Sequence, residues 1–454
     1  MTAAASGPAI KGGTATVALP PNTVYSWIFP FYSIANASVY NDNQFQWLFY
    51  RPLYMFGGNN NSQVTVNYPL STASQPVYSN GGKTVVVNLK GWKFSDGESV
   101  DAQSVVFFMN MTEAEKDNWY AYAKGLLPDN VVSYKATGPD QVTFQLNQAY
   151  SSLWYTALPA TNPLSGSYYL EPFLSYGIQY AQPNFNNPQV GYMVRQLYIR
   201  QAMQYAMNQP GISKALWRGY SNPGSGPVPT VPSNQFIPSI ERENNGQGPY
   251  PYNPSKAKAL LTSHGWSPVG GVMTCQDPSK CGTGITQGEQ LKFTFVYATG
   301  IAAATATWQA IKSEESSVGI DVTIQGESFN TIIGQSLPCA PMGPKCNVQV
   351  FAYGGWNYDG PGFEPTGEPL FETGAGSNSG NYSDPTMDKL IQETHTSNSP
   401  GVFDQFATYA SQQLPFMWIP EPEPYQIQAV TSKLHGVTFN PDFTLLPEYW
   451  YYTK

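Results

Sequence analysis

Apolar and polar positions alternate at several points along the chain, and each such run predicts a strand. The first is the β-prone stretch Thr14 to Leu19 (TATVAL), followed by Lys83 to Leu89 (KTVVVNL). Ser95-Asp96-Gly97 then reads as a turn ahead of a helical run from Ala102 to Met111. Alternation returns at Gln141 to Leu146 (QVTFQL), with Val142, Phe144 and Leu146 on one face. Residues 160–190 are rich in Tyr, Asn, Pro and Gly and carry little period, so they read as a connection.

From Val194 the pattern turns helical. Val194, Leu197, Tyr198, Ala202, Tyr205 and Ala206 fall at helical steps and define one buried face. A proline-rich loop region, Gly219 to Pro251, ends at Asn253-Pro254, where Asn253 suits an N-cap and Pro254 the first turn of a helix through Leu261. Lys292 to Tyr297 predicts a strand and Thr305 to Val318 a helix with Trp308, Ile311 and Val318 inward. Ile320, Val322 and Ile324 alternate as a strand, and Val348 to Tyr353 follows as another. This strand–helix–strand order predicts a mixed α/β unit. No fixed-period repeat is visible.

At 454 residues the chain is too long for one core, so at least two domains or lobes are expected. Charged residues make up 11%, against roughly 25% in an average soluble protein. Polarity comes instead from Asn, Gln, Ser, Thr and Tyr, with 31 Tyr and 11 Trp. Such aromatic richness suits either a large core or a binding cleft, and the two stay open. The net charge of −8 and the absence of a basic run argue against a nucleic-acid partner.

No apolar stretch approaches the roughly 18 to 20 residues that a membrane-spanning helix needs. Met1 to Gly7 also lacks the charged start and apolar core of a secretory signal. The cysteines nevertheless point outside the cytoplasm. Cys275 and Cys281 bracket one short loop (CQDPSKC), and Cys339 and Cys346 bracket another (CAPMGPKC). Both loops suit local disulfides. Structural zinc commonly takes cysteines with roughly two to four residues between ligands, and here the gaps are five and six. Connectivity stays open at the level of sequence. The expectation is an extracytoplasmic chain, periplasmic or at the cell surface, with a removed export signal or a lipid anchor in its precursor.

Catalytic patterns are scarce. His264, His395 and His435 are far apart, stand in no metal spacing, and read as surface or helix-end residues. No G-x-S-x-G elbow is present, and GAGSNSG at 374–380 does not make one. Gly82-Lys83-Thr84 resembles the end of a phosphate loop, but Val77 stands where the first glycine belongs. No cofactor and no catalytic residue is assigned. A glycan hydrolase needs only two carboxylates brought together by the fold, for which Glu421 with Glu423 or Asp359 with Glu364 are the candidates. Nothing marks either pair, and solvated or ligand-contacting roles suit them better.

KGGTATVALP at residues 11–20, LFYRPLYMF at 48–56 and VVVNLKGWKFSDGESVDAQSVVFFM at 85–109 resemble the extracellular solute-binding protein family 5. This is the oligopeptide-, dipeptide- and nickel-type family of substrate-binding proteins that serves ABC importers, and it includes some oligosaccharide binders. Ser104 stands where the family's helix start usually has Asp, so Ser104 is read as the cap. The similarity continues through NFNNP at 184–188, the helix and loop that follow Val194, YNPSKAKALLTSHG at 252–265, Ser317 to Ile324, and the run from Gly355 to Ile391. Between about residues 163 and 180 a long stretch usual in the family is lacking. Asn357 occupies the place where peptide-binding members tend to carry an Asp for the ligand's ammonium group, with Asp359 just beyond.

The resemblance implies an α/β, two-lobed periplasmic-binding-protein-like fold (type II, cluster C-like) with a hinge and an interlobe ligand cleft. Lobe I would take residues 11–180, completed by 425–454, and lobe II residues 181–424. Trp356, Asn357, Tyr358 and Asp359 are the implied ligand-facing residues of lobe II, with Tyr25, Trp27 and Trp47 on lobe I. The implied function is capture of a peptide or peptide-like solute by a monomer that works with the importer's permease subunits. An oligosaccharide is the alternative, which Asn357 and the many aromatic rings favour. Nickel is disfavoured by the shortage of His and soft ligands.

Overall fold

The computed structural model describes residues 9–10, 29, 31–32, 49–55, 66–119, 122, 127–150, 168–173, 175–231, 233–336, 339, 346–358, 365–397, 399–420, 426–431, 433–437 and 446–453. The expected strand at Thr14 to Leu19 lies outside them.

Residues 73–146 build one unit. Its four strands run in the order Val77–Ser79, Thr84–Asn88, Gln141–Leu146, Val131–Gly138, every neighbour antiparallel. The alternation at 84–88 and 141–146 puts Val87 and Val142 beneath the Ala102–Glu115 helix, where they meet Ala102 and Val105 in a small separate core. The helix start corrects the sequence reading. Asp101 is the N-cap, accepting from the Ser104 amide at 2.9 Å, while Ser104 is the third helical residue and accepts from the Asp101 amide at 3.3 Å. The pair forms a capping box in which a serine replaces the usual Glu or Gln.

The larger unit has one continuous core whose buried residues run from Tyr176 to Ile419. Its five-stranded sheet follows the order Asp321–Glu327, Lys292–Ala298, Val350–Asn357, Gly177–Pro183, Met417–Trp418. The first three strands are parallel, and Gly177–Pro183 runs antiparallel to both of its neighbours. The Ala302–Ser317 helix links the first parallel pair, burying Trp308 and Ile311, with Val318 buried just beyond its end. Asn253 caps the Pro254–Ser263 helix by accepting from the Lys256 amide at 2.9 Å. The sulfurs of Cys275 and Cys281 are paired, as are those of Cys339 and Cys346, the local pairing that the spacing favours.

The stretch read as a connection, residues 160–190, instead supplies two strands, Tyr168–Phe173 and Gly177–Pro183. All seven residues of the second are buried. A strand covered on both faces has no alternation to reveal it, and here two glutamines and a terminal proline disguise the apolar character further. Tyr168–Phe173 pairs antiparallel with Gln426–Thr431, and Gly177–Pro183 pairs with Met417–Trp418. Two passes of the chain therefore run side by side where the larger unit begins and ends. A separate three-stranded sheet has the order Ala9–Ile10, Tyr451–Thr453, Leu434–His435.

Two of the histidines read as surface or helix-end residues are buried, although His395 does stand at a helix end. His435 lies in a buried strand, and His395, in the last turn of its helix, sits 3.5 Å from the buried carboxyl group of Glu368. His264 does end its helix, stacked on Tyr198.

The Ala302–Ser317 helix also buries an acid. Glu315 is fully buried, and neither carboxyl oxygen has a hydrogen-bond partner among the described residues. Burial, with Glu314 beside it, holds its pKa well above the usual 4.5, and burial pushes Glu314 up to about 7. A pKa raised by folding contributes stability that is complete below the unfolded value and is lost as pH rises through the folded one. Glu315→Gln should therefore gain stability relative to the parent as pH climbs above 4.5, with the two converging below it. Urea unfolding across pH checks this, and parallel curves would contradict it.

Candidate functional site

Strand ends and one loop meet where the two chain passes adjoin. Trp356 and Asn357 end their strand opposite Ile178 and Gly177. The two backbones can close here because glycines stand at the contact. A Cβ on Gly355 would collide with the Ile178 carbonyl, and one on Gly177 would meet the Asn357 side chain and lie 2.8 Å from the Trp356 carbonyl. Trp356 and Asn357 keep partial exposure.

Tyr358 is placed differently. Its ring is buried beside Tyr176, its amide donates to the Tyr176 carbonyl at 2.8 Å, and its hydroxyl donates to the Pro227 carbonyl at 2.7 Å. Its donor is thus spent on holding a loop. Asp359, Tyr25, Trp27 and Trp47 lie outside the described residues, as do the carboxylate candidates Glu364, Glu421 and Glu423.

The loop is Pro223 to Thr230 (PGSGPVPT), which with Ile178, Gln179 and Trp418 lines a small cavity. Having no regular structure, it is positioned by its anchors. The Gln209 side chain donates to the Gly224 carbonyl and accepts from its amide, both at 2.8 Å. Trp418 is fixed from behind by Gln204, which accepts from the Trp418 amide and donates to its carbonyl, both at 2.9 Å. Beneath the loop, Glu241 is fully buried, and burial holds its carboxyl group well above the usual range against weaker opposition from the Val228 amide and Ser411 hydroxyl.

The phenol of Tyr358 is the only ionisable side chain among residues 177–179, 223–230, 356–358 and Trp418. The small cavity is lined by the Trp418 indole, the Gln179 amide and Thr230, with the half-exposed Trp356 and Asn357 at the strand end beside it, while the Ser225 hydroxyl is committed to the Glu241 carbonyl. Such groups bind by hydrogen bonds and stacking, and they pair no nucleophile with a base. Sequence reasoning placed Trp356 and Asn357 here but missed Gly177, Gln179, Trp418 and the loop. The dense Gly and Pro of GSGPVP were a signal for the loop, whereas nothing local marks Trp418.

A sheet-and-helix unit on each side of a paired double crossing is the architecture of the two-lobed solute-binding proteins. The profile described as bacterial extracellular solute-binding proteins, family 5 Middle, matches residues 68–169 and 165–366. The chain belongs to that family. The two matched pieces meet at 165–169, within the region where the sequence reading placed a shortened stretch.

The oligopeptide-binding protein AppA from Bacillus subtilis, solved in complex with a nonapeptide, is similar in fold. Its TM-score is 0.72 at 15% identity, covering 93% of this chain and 97% of that one. The dipeptide-binding protein from Pseudoalteromonas sp. SM9913, solved with Met-Leu, gives a TM-score of 0.70 at 14% identity, covering 93% and 98%. In sequence, the glutathione-binding protein GsiB of Escherichia coli (strain K12) is 35% identical over 85 residues. That match takes in 19% of this chain and only 13% of GsiB.

Removing the hydroxyl that holds the loop tests its role. Tyr358→Phe leaves the Pro227 carbonyl without its donor and should cost about 1–2 kcal/mol in chemical denaturation. An unchanged midpoint and slope would mean that the bond does not anchor the loop.

Proposed function

We propose that this chain is the extracytoplasmic substrate-binding protein of an ABC importer, capturing a peptide or peptide-like solute between two lobes and delivering it to the membrane permease. Lobe I takes the chain from residue 11 to just before Gly177–Pro183, a strand of the larger sheet, rather than to the 180 of the sequence reading, and is completed by 425–454; lobe II takes the rest up to 424. One observation carries the reading: the uncharged, aromatic and amide-bearing surface of Trp356, Asn357, Gln179 and the 223–230 loop sits beside the paired passes that connect the units. A solute seated there can touch both lobes and favour the closed arrangement by its extra contacts.

The peptide class is supported by the ligands named for AppA, the dipeptide-binding protein and GsiB. Asp359, Tyr25, Trp27 and Trp47 are proposed to complete the site, and the chain to act as a monomer. The paired cysteines suit an oxidising compartment outside the cytoplasm. A second reading, an oligosaccharide, is favoured by Asn357 where a carboxylate would meet an ammonium group, and by the uncharged surface around it.

Thermal melting against short peptides and oligosaccharides at one fixed pH separates these readings. A true ligand at roughly a hundred times its Kd should add about 2.7 kcal/mol and be recovered chemically intact. Stabilisation by peptides supports the first reading and by sugars the second. Turnover of the added compound, or no stabilisation by either class, would overturn the proposal.

A further inference from the structure

We propose that Glu241 is the positioning residue of the 223–230 loop, gripping it on both sides of Gly226-Pro227 without touching the solute. The inference rests on the loop being part of the solute site, as proposed above, but its test does not.

Glu241 holds the loop at two points. Its backbone carbonyl accepts from the Ser225 hydroxyl at 3.2 Å, and its Oε1 accepts from the Val228 amide at 3.3 Å. The Ser411 hydroxyl donates to the Ala407 carbonyl at 2.9 Å and its oxygen lies 3.5 Å from the same Oε1, setting the clamp against the Pro400–Gln413 helix. Contact at the loop is so close that a Cβ on Gly226 would strike both Oε1 and the Ser411 Oγ. Between the two grips lies Pro227, whose carbonyl receives the Tyr358 hydroxyl. The clamp thus sets the loop where it meets the strand end that carries Trp356 and Asn357.

The chemistry requires a neutral acid. A fully buried carboxylate needs a countercharge, and among the described residues none faces it. The loop from Pro223 to Thr230 has no titratable side chain. On the Pro400–Gln413 helix, Asp404 is exposed and the Tyr409 hydroxyl is committed to Asp384. On its own helix, Arg242 and Glu243 are exposed. Oε1 then accepts from the Val228 amide beside the Ser411 hydroxyl, and burial holds the acid's pKa well above the usual 4.5. Ionisation would put an uncompensated charge under the loop, a desolvation cost that outweighs the two opposing hydrogen bonds and that opening the loop to water relieves.

Hydrogen–deuterium exchange on the full chain, without ligand, tests the clamp. Amides of 223–230 are compared with those of the Pro254–Ser263 helix, after correction for the intrinsic pH dependence of exchange. Glu241→Ala should speed exchange at 223–230 by about tenfold, the scale of one lost buried hydrogen bond, and leave the reference helix unchanged. Glu241→Gln, which retains the acceptor, should stay within about twofold of the parent. With rising pH the parent should lose protection at 223–230 while Glu241→Gln keeps it. Unchanged protection in Glu241→Ala, or equal loosening of loop and reference helix, would overturn the proposal. If Glu241→Ala does not fold, the pH profiles decide, and identical profiles for the parent and Glu241→Gln would overturn it. Failure of the solute reading would leave these rates untouched.

Discussion

The antiparallel pairing of two chain passes is the constraint on which the rest of the structure depends. Gly177–Pro183 lies between Val350–Asn357 and Met417–Trp418, and just before it Tyr168–Phe173 pairs with Gln426–Thr431. Backbone hydrogen bonds hold the entry and exit of the larger unit together, so its core can close between Tyr176 and Ile419. The pairing is reinforced from the side. Gln204 bonds both backbone groups of Trp418, and the buried Arg200 donates to the Gln413 and Leu414 carbonyls at 2.8 Å, where the Pro400–Gln413 helix ends. Buried polar groups are costly unless satisfied, so these bonds specify register as well as adding stability.

The site inherits its order from this frame. The 223–230 loop forms no ladder of its own and takes its position from Gln209, Glu241 and Tyr358, each rooted in the larger unit. Burial raises the pKa of the acid beneath the loop, and the described residues of the candidate site bring no countercharge to oppose it. The low overall charge of the chain and the uncharged lining of the candidate site are consistent expressions of one composition, rich in Asn, Gln, Ser, Thr and Tyr.

The elements legible in the sequence were those exposed on one side. Thr84–Asn88 and Gln141–Leu146 alternate because one face packs on a helix, and Ala302–Ser317 shows its period because only Trp308, Ile311 and their neighbours turn inward. The central strand was invisible for the opposite reason, since residues 177–183 are buried throughout and include two glutamines. The cap at Asp101 was displaced to Ser104 because both residues of a capping box bear capping side chains. Family resemblance led to Trp356, Asn357 and Tyr358, but only tertiary packing distinguishes the half-exposed pair from the buried Tyr358. Trp418 and Glu241 reach the loop from distant positions, and no local pattern could have placed them there.

Paired crossings of this kind form a natural hinge, and solute capture should move the units as bodies about it. Small-angle X-ray scattering on the chain, free and saturated with the solute that stabilises it most, measures that motion directly. The account predicts that the radius of gyration falls on binding while the sheet and helix content stays constant. An unchanged radius with the solute demonstrably bound would contradict capture by closure about the paired strands.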